Sequence, residues 1–115
     1  MRKRKKGRKF GRERNQRKAL LQNLANNLFL NEKIKTTESK AKELRKLASK
    51  YITKSKKINL ATRRLLLKEL SPRAVKKLEK EIGPKYKERK GGYTRIIKIG
   101  PRKSDASKIV IIELV

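Results

Sequence analysis

The spacing of apolar residues predicts two long helices in the first half of the chain. In the first, apolar side chains recur three and four positions apart, which gives one apolar face between about Glu13 and Leu30. The second begins after Thr36 or Thr37, either of which could cap it with its hydroxyl, and runs to about Ser55. Its apolar stripe is Ala41, Leu44, Leu47, Ala48, Tyr51 and Ile52.

Two shorter helices are predicted next. Asn59 is a suitable cap for a helix rich in leucine, whose expected apolar set is Leu60, Ala61, Leu65, Leu66, Leu67 and Leu70. Ser71 followed by Pro72 is a cap with a first-turn proline, so another helix begins there. It is expected to run to Ile82, where the pair Gly83 and Pro84 should stop it.

Three segments have the period-two pattern of strands. They are Lys33 to Thr36, Tyr93 to Gly100 and Lys108 to Val115. The last two should pair, and the continuous face of Val110, Ile112 and Leu114 should be the sheet surface on which the helices pack. The pattern thus predicts an α/β (α+β) fold, with a small three-stranded sheet against about four helices.

The N-terminal segment is strongly basic, which argues against a packed structure there. Residues 1–18 contain eleven Lys or Arg and a single acid, Glu13. Such dense like charge, with few apolar side chains, cannot offset the entropy of ordering, so we expect residues 1–12 to be an extended basic arm that is disordered alone. Residues 13–115 form the single globular domain. A merely solubilising or targeting tail is the alternative interpretation of the arm.

The whole chain of 115 residues has a formal net charge of +27, from 37 basic and 10 acidic residues. This excess implies a polyanionic partner. Only 4% of residues are aromatic, so contacts to phosphate and sugar are expected more than base readout. The candidate nucleic-acid-binding residues are Arg2, Lys3, Arg4, Lys5, Lys6, Arg8, Lys9, Arg12, Arg14, Arg17, Lys18, Arg63, Arg64, Lys85, Arg89, Lys90, Gly91, Gly92, Tyr93, Arg95, Arg102 and Lys103.

Several of these assignments have a competing structural explanation. Arg14, Arg17 and Lys18 oppose the dipole of the first helix, which a bound phosphate would correct. Gly91 and Gly92 either cradle phosphate on backbone N–H groups or only permit a turn. Tyr93 either stacks on a base or belongs to the core, as Tyr51 and Tyr86 are expected to do. Scattered lysines such as Lys46, Lys50 and Lys68 are expected only to solvate the surface.

Other functions are disfavoured by composition. The chain has no Cys and no His, and its acids are dispersed, so we expect no metal site, no cofactor and no enzymatic activity. It contains no apolar run of about 20 residues and no apolar signal segment at its start, and the arm lacks an apolar face, so a cytoplasmic protein without membrane activity is expected. Charge alone leaves a nucleoid or histone-like DNA-binding protein as the alternative to an RNA-binding one.

Motifs along nearly the whole chain resemble the family of bacterial ribosomal large-subunit protein number seventeen. The most specific is Gly83, Pro84, Tyr86 and Arg89 followed by GGYTRI, Gly91 to Ile96. The remaining matches are Met1, Arg2, Arg4, Gly7 and Arg8, then Ile34, Thr36, Thr37 and Lys40 to Arg45, then Arg63 and Arg64, and finally Arg102, Asp105 and Ala106. Four residues depart from the usual pattern of the family, namely Phe10, Thr62, Lys85 and Ser104.

The resemblance implies a mixed sheet covered by helices and a structural, non-enzymatic role. It further implies binding to large-subunit (23S-type) rRNA near the peptide exit tunnel, with other large-subunit ribosomal proteins as neighbours. The residues by themselves imply only a nucleic-acid-binding α/β protein with a basic arm.

Overall fold

A computed structural model describes residues 2–101 and 108–115, with side chains from residue 14 onward. Its helices are α1 (Arg2–Asn31), α2 (Glu38–Ser55), α3 (Leu60–Glu69), α4 (Pro72–Lys77) and α5 (Gly83–Lys85), with a π-helical turn at Leu78–Ile82 between the last two. Its strands are β1 (Lys33–Thr37), β2 (Thr94–Pro101) and β3 (Lys108–Leu114). The α/β class and the three-stranded sheet packed against helices are confirmed.

The sheet has the order β1-β3-β2, and both of its strand pairs are antiparallel, not mixed as the resemblance implied. Ile112 of β3 lies opposite Ile34 on one side and Ile96 on the other. Val110, Ile112 and Leu114 are buried, which confirms the predicted packing face. The register of β2 shifts between Lys98 and Gly100, where Gly100 has a φ of 137° that suits glycine.

The core lies between this sheet face and the apolar sides of the helices. Ala41, Leu44, Ala48, Tyr51 and Ile52 of α2 are all buried, as their spacing predicted. From α1, the buried side chains are Ala25, Leu28 and Phe29. Of the apolar set expected for α3, Leu66 and, just after the helix, Leu70 enter the core, while Leu60, Leu65 and Leu67 stay exposed. A ten-residue helix at the edge of the fold can turn only one narrow side inward.

Local capping was predicted correctly at two of three helix starts. The side-chain oxygen of Asn59 accepts a hydrogen bond from the N–H of Thr62 at 2.9 Å, and the hydroxyl of Ser71 accepts one from Ala74 at 3.3 Å. Thr37 occupies the cap position of α2 but its side chain makes no capping bond, so that prediction was wrong. There the first turn has a different polar contact, since Lys42 Nζ lies 3.4 Å from Glu38 Oε1. The hydrogen bond that Lys42 donates to Glu38 is the chief reason that the pKa of the Glu38 carboxyl is lowered.

Two predicted helix limits also need correction. The first helix begins at Arg2 and not near Glu13, so residues 2–12 are helical and not extended. Arginine and lysine are good helix formers, and no proline interrupts this segment. Further along, Gly83 and Pro84 do not end the helical path after Ile82. The π turn widens the backbone there, and Pro84 occupies the first turn of α5, where its missing N–H costs nothing.

Candidate nucleic-acid interface

Residues 2–12 of the basic arm form the first part of α1, and three candidate cations follow them on the same helix. Arg14, Arg17 and Lys18 are all exposed. Arg17 Nη2 lies 3.3 Å from Glu43 Oε1 of α2, so part of its charge is already balanced by the protein. The candidate residues whose side chains lie outside the described part of the chain are Arg2, Lys3, Arg4, Lys5, Lys6, Arg8, Lys9, Arg12, Arg102 and Lys103.

Below these cations a groove of about 300 Å³ runs between α1, α2 and α3. Leu21 and Leu47 form its apolar walls. At its side, the Tyr51 hydroxyl donates a hydrogen bond of 2.6 Å to Glu69 Oε2. Burial, followed by the hydrogen bond to Glu69, raises the pKa of Tyr51, so the phenol remains a donor throughout the neutral range. The sequence shows the apolar periodicity of α1 and α2, but nothing in it indicates that Glu69 of α3 closes this groove.

On α3 the two candidate arginines differ. Arg63 forms an ion pair with Glu79 of the π turn, through Nη2 and Oε1. Arg64 is exposed and forms no ion pair with any residue that the structure describes. Exposed ion pairs add little to stability, so Glu79 orients Arg63 without removing it as a candidate phosphate ligand. Of the two guanidinium groups, that of Arg63 is therefore oriented by Glu79, and that of Arg64 is available to bind a phosphate.

A second basic segment after the arm is the loop of residues 87–92 that follows α5, here called the second basic loop, and contacts to its backbone fix it. The carbonyl of Arg89 accepts hydrogen bonds from Lys56 Nζ and, at 3.3 Å, from the Tyr93 hydroxyl. Arg89 Nε in turn donates to the Gly91 carbonyl at 3.2 Å. Lys85 and Lys90 are exposed, with Lys85 Nζ 5.3 Å from the centre of the Tyr86 ring. Sequence reasoning missed Lys56, because a lysine that follows the end of α2, 33 positions before Arg89, carries no local sign that it will hold this loop.

Gly91 and Gly92 both have positive φ, 145° and 62° respectively. An added Cβ would meet no atom within 4 Å at either position, so the backbone conformation and not crowding requires glycine there. The geometry supports the turn interpretation. Their second possible role, contact with phosphate, stays a prediction.

Tyr93 does not belong to the candidate interface. Its side chain is 2% exposed, and its ring centre lies 5.3 Å from that of Tyr86. A base cannot stack on a ring whose faces are already covered, so the stacking interpretation of Tyr93 was wrong. Burial as core was correctly predicted for Tyr51 and Tyr86. The Tyr86 hydroxyl donates to the Val115 carbonyl at 2.6 Å, which ties α5 to the end of β3.

On the sheet, Arg95 is exposed and its Nε lies 2.8 Å from Glu113 Oε1 of β3. Among the candidate residues with described side chains, the cations without an ion-pair partner therefore lie on α1, α3 and α5 and in the loop after α5. Across residues 2–101 and 108–115 no group of three metal-binding side chains occurs. Within the same ranges no helix has the length and apolarity needed to cross a membrane.

Comparison with known proteins agrees with this arrangement. A family model described as ribosomal protein L17 matches residues 20–115. The chain belongs to the ribosomal protein L17 family. Proteins of this family are structural components of the large ribosomal subunit, so the protein takes part in translation on the cytoplasmic ribosome and is not an enzyme.

Curated relatives are similar over almost their whole length. A protein from an Exiguobacterium species is 50% identical over 113 residues, which cover 93% of this chain and 97% of the relative. One from Clostridium botulinum is 50% identical over 109 residues, covering 94% and 96%. One from Natranaerobius thermophilus is 52% identical over 108 residues, covering 93% and 96%. All three are named large ribosomal subunit protein bL17, as the family resemblance of the motifs led us to expect.

Proposed function

We propose that this L17-family protein binds and stabilises large-subunit rRNA through its basic arm, residues 1–12, and through the cations of its body. The observation that carries the proposal is the concentration of positive charge. Eight Lys or Arg lie in the first twelve residues, and the same helix continues into the exposed Arg14 and Lys18. A helix that carries its cations at its N-terminal end is electrostatically unfavourable alone and is stabilised when phosphates neutralise them.

The cations of the body supplement the arm at separate places. Arg63 and Arg64 lie on α3, and Lys85 lies on α5. Arg89 and Lys90 lie in the second basic loop, and Arg95 lies on β2. A footprint that spans several elements suits a protein embedded in folded RNA, where phosphates approach from more than one direction. The pair Gly91 and Gly92 would let an RNA backbone approach this loop closely. Arg102 and Lys103 are proposed as further contacts on the strength of their charge alone.

The test is deletion of residues 1–12, followed by measurement of affinity for large-subunit rRNA fragments as salt is varied. If half of the eight deleted cations meet phosphates, the slope of log affinity against log salt should fall in magnitude by roughly 3 to 4. A control removes three charges elsewhere, as Lys46→Gln, Lys50→Gln and Lys68→Gln together. It should leave the slope nearly unchanged, because these exposed lysines are assigned to solvation, whereas three phosphate contacts would lower its magnitude by about 2.7. An unchanged slope on deletion would show that the arm does not contact the RNA backbone.

A duplex DNA competitor tests the alternative function in the same assay. Nucleoid binding predicts that duplex DNA displaces the rRNA fragments at equal concentration, whereas rRNA binding predicts that a large excess is needed. The position near the peptide exit tunnel, beside other large-subunit proteins, is proposed from the family resemblance. Crosslinking in cells, followed by sequencing of the attached RNA, should then give reads at the rRNA segments around the tunnel exit, and reads elsewhere would contradict that position.

A further inference from the structure

We propose that the groove between α1, α2 and α3 holds one unstacked nucleobase of the bound RNA, with guanine preferred. Arg14 and Lys18 would contact the flanking phosphates, and Glu69 would accept hydrogen bonds from the edge of the base. The inference rests on the proposed RNA-binding function and names one binding site within it. Its basis is that an apolar slot, a fixed carboxylate and a basic rim occur together in one place.

The groove has the size and lining of a small binding site. At about 300 Å³ it lies at the lower end of the usual volumes of ligand sites. Leu21 comes from α1 and Leu47 from α2, so apolar side chains from two helices line the space that an inserted flat ring would occupy. Unstacked bases are commonly held between aromatic or apolar side chains, and extruding one costs least where the RNA is already single-stranded.

The polar groups in the groove would select the base. One carboxylate oxygen of Glu69, Oε2, accepts the hydrogen bond from Tyr51, which fixes the orientation of the carboxylate. Among the described residues Glu69 has no ion-pair partner. A carboxylate offers about four lone-pair positions, so it still accepts further hydrogen bonds. Guanine presents two adjacent donors, N1–H and N2–H, which match a carboxylate, whereas uracil presents a single ring N–H on that edge.

The charges around the groove favour a nucleotide over an apolar peptide. The rim carries the exposed cations Arg14 and Lys18, which suit phosphates on either side of the base. Arg17, the third rim cation, is partly neutralised by Glu43. A leucine or phenylalanine from a protein partner would bury the Glu69 carboxylate without giving it a donor, which is costly. A nucleotide supplies both the anions that the rim needs and the donors that Glu69 needs.

The experiment is an NMR titration of the full chain with four single-stranded RNA pentamers, UUGUU, UUCUU, UUAUU and UUUUU. We expect UUGUU to bind about tenfold more tightly than UUUUU, since one well-placed pair of hydrogen bonds discriminates between bases at about that level. The backbone signals of Leu21, Leu47 and Glu69 should shift with UUGUU. Equal affinities for all four pentamers, or shifts limited to Arg14 and Lys18, would overturn the base site while leaving rRNA binding by the arm intact.

A charge-matched pair of variants separates base recognition from general electrostatics. Glu69→Gln and Glu81→Gln each remove one negative charge, but only Glu69 lies in the groove, and Glu81 is exposed on the π turn. The preference for guanine should be lost in Glu69→Gln and retained in Glu81→Gln. Leu47→Phe is a second variant, which should weaken UUGUU binding by partly filling the groove while leaving the salt dependence unchanged. Retention of the guanine preference in Glu69→Gln, or unchanged UUGUU affinity in Leu47→Phe, would refute the proposal.

Discussion

Gly83 lies where the π turn meets the end of α2, and replacing it with alanine should destabilise the protein. Its own φ is −55°, an ordinary helical value, so the backbone conformation does not require glycine. The surroundings do. An added Cβ would lie 2.6 Å from the Ser55 carbonyl oxygen and 2.9 Å from that of Leu78. Both are backbone atoms, which cannot rotate away as a side chain would.

The expected magnitude follows from two opposing effects. Overpacking against a rigid neighbour costs about 1–3 kcal/mol. Alanine also reduces the entropy of the unfolded chain, which stabilises the fold by about 0.4–1 kcal/mol. We therefore expect Gly83→Ala to lower the free energy of unfolding by about 1–2 kcal/mol. In a chain of this size that corresponds to a melting temperature lower by roughly 4–10 °C.

The assay is thermal unfolding followed by circular dichroism, with urea unfolding as a second measure of the free energy. A control is Lys80→Ala on the same π turn, where the side chain is exposed and little change is expected. A melting temperature of Gly83→Ala equal to or above that of the unchanged protein would refute the reasoning. It would mean that α2 and the π turn separate easily, and that Gly83 is there for another reason.

Two further predictions concern the loop after α5 and the groove. Gly92→Ala should lower the free energy of unfolding by about 1 kcal/mol, because Gly92 has a positive φ. If the glycine serves only the turn, rRNA affinity per folded molecule should stay unchanged. Weakened binding at unchanged stability would indicate phosphate contact instead. For Tyr51, the raised pKa means that the fold favours the neutral phenol, so this contribution to stability is complete below the unfolded pKa of about 10 and is lost as pH rises above it. Urea unfolding from pH 8 to 11 should show a steeper loss for the unchanged protein than for Tyr51→Phe, and parallel curves would contradict this.

Local features of the sequence determined most of the elements. Period-two segments became strands, the apolar stripe of α2 became core, and Asn59 and Ser71 cap their helices as predicted. These outcomes depend on interactions between residues close in the chain, or on the alternation that any buried face requires. The positive charge of the arm is likewise a property of composition, and with the motifs after Gly83 it pointed to the correct family.

Only the tertiary structure determined how segments distant in the sequence pair and pack. The order β1-β3-β2 places β1 beside a strand more than seventy positions later, and no local pattern specifies that pairing. The Tyr93 ring is covered by Tyr86 and by Lys56, which are both distant in sequence or in another element, and the leucines of α3 divide into buried and exposed only when the helices pack. The groove that joins Leu21, Leu47 and Glu69 exists only once three helices pack. Burial and cavity shape are set by the partners of each surface, so they became visible only in the folded chain.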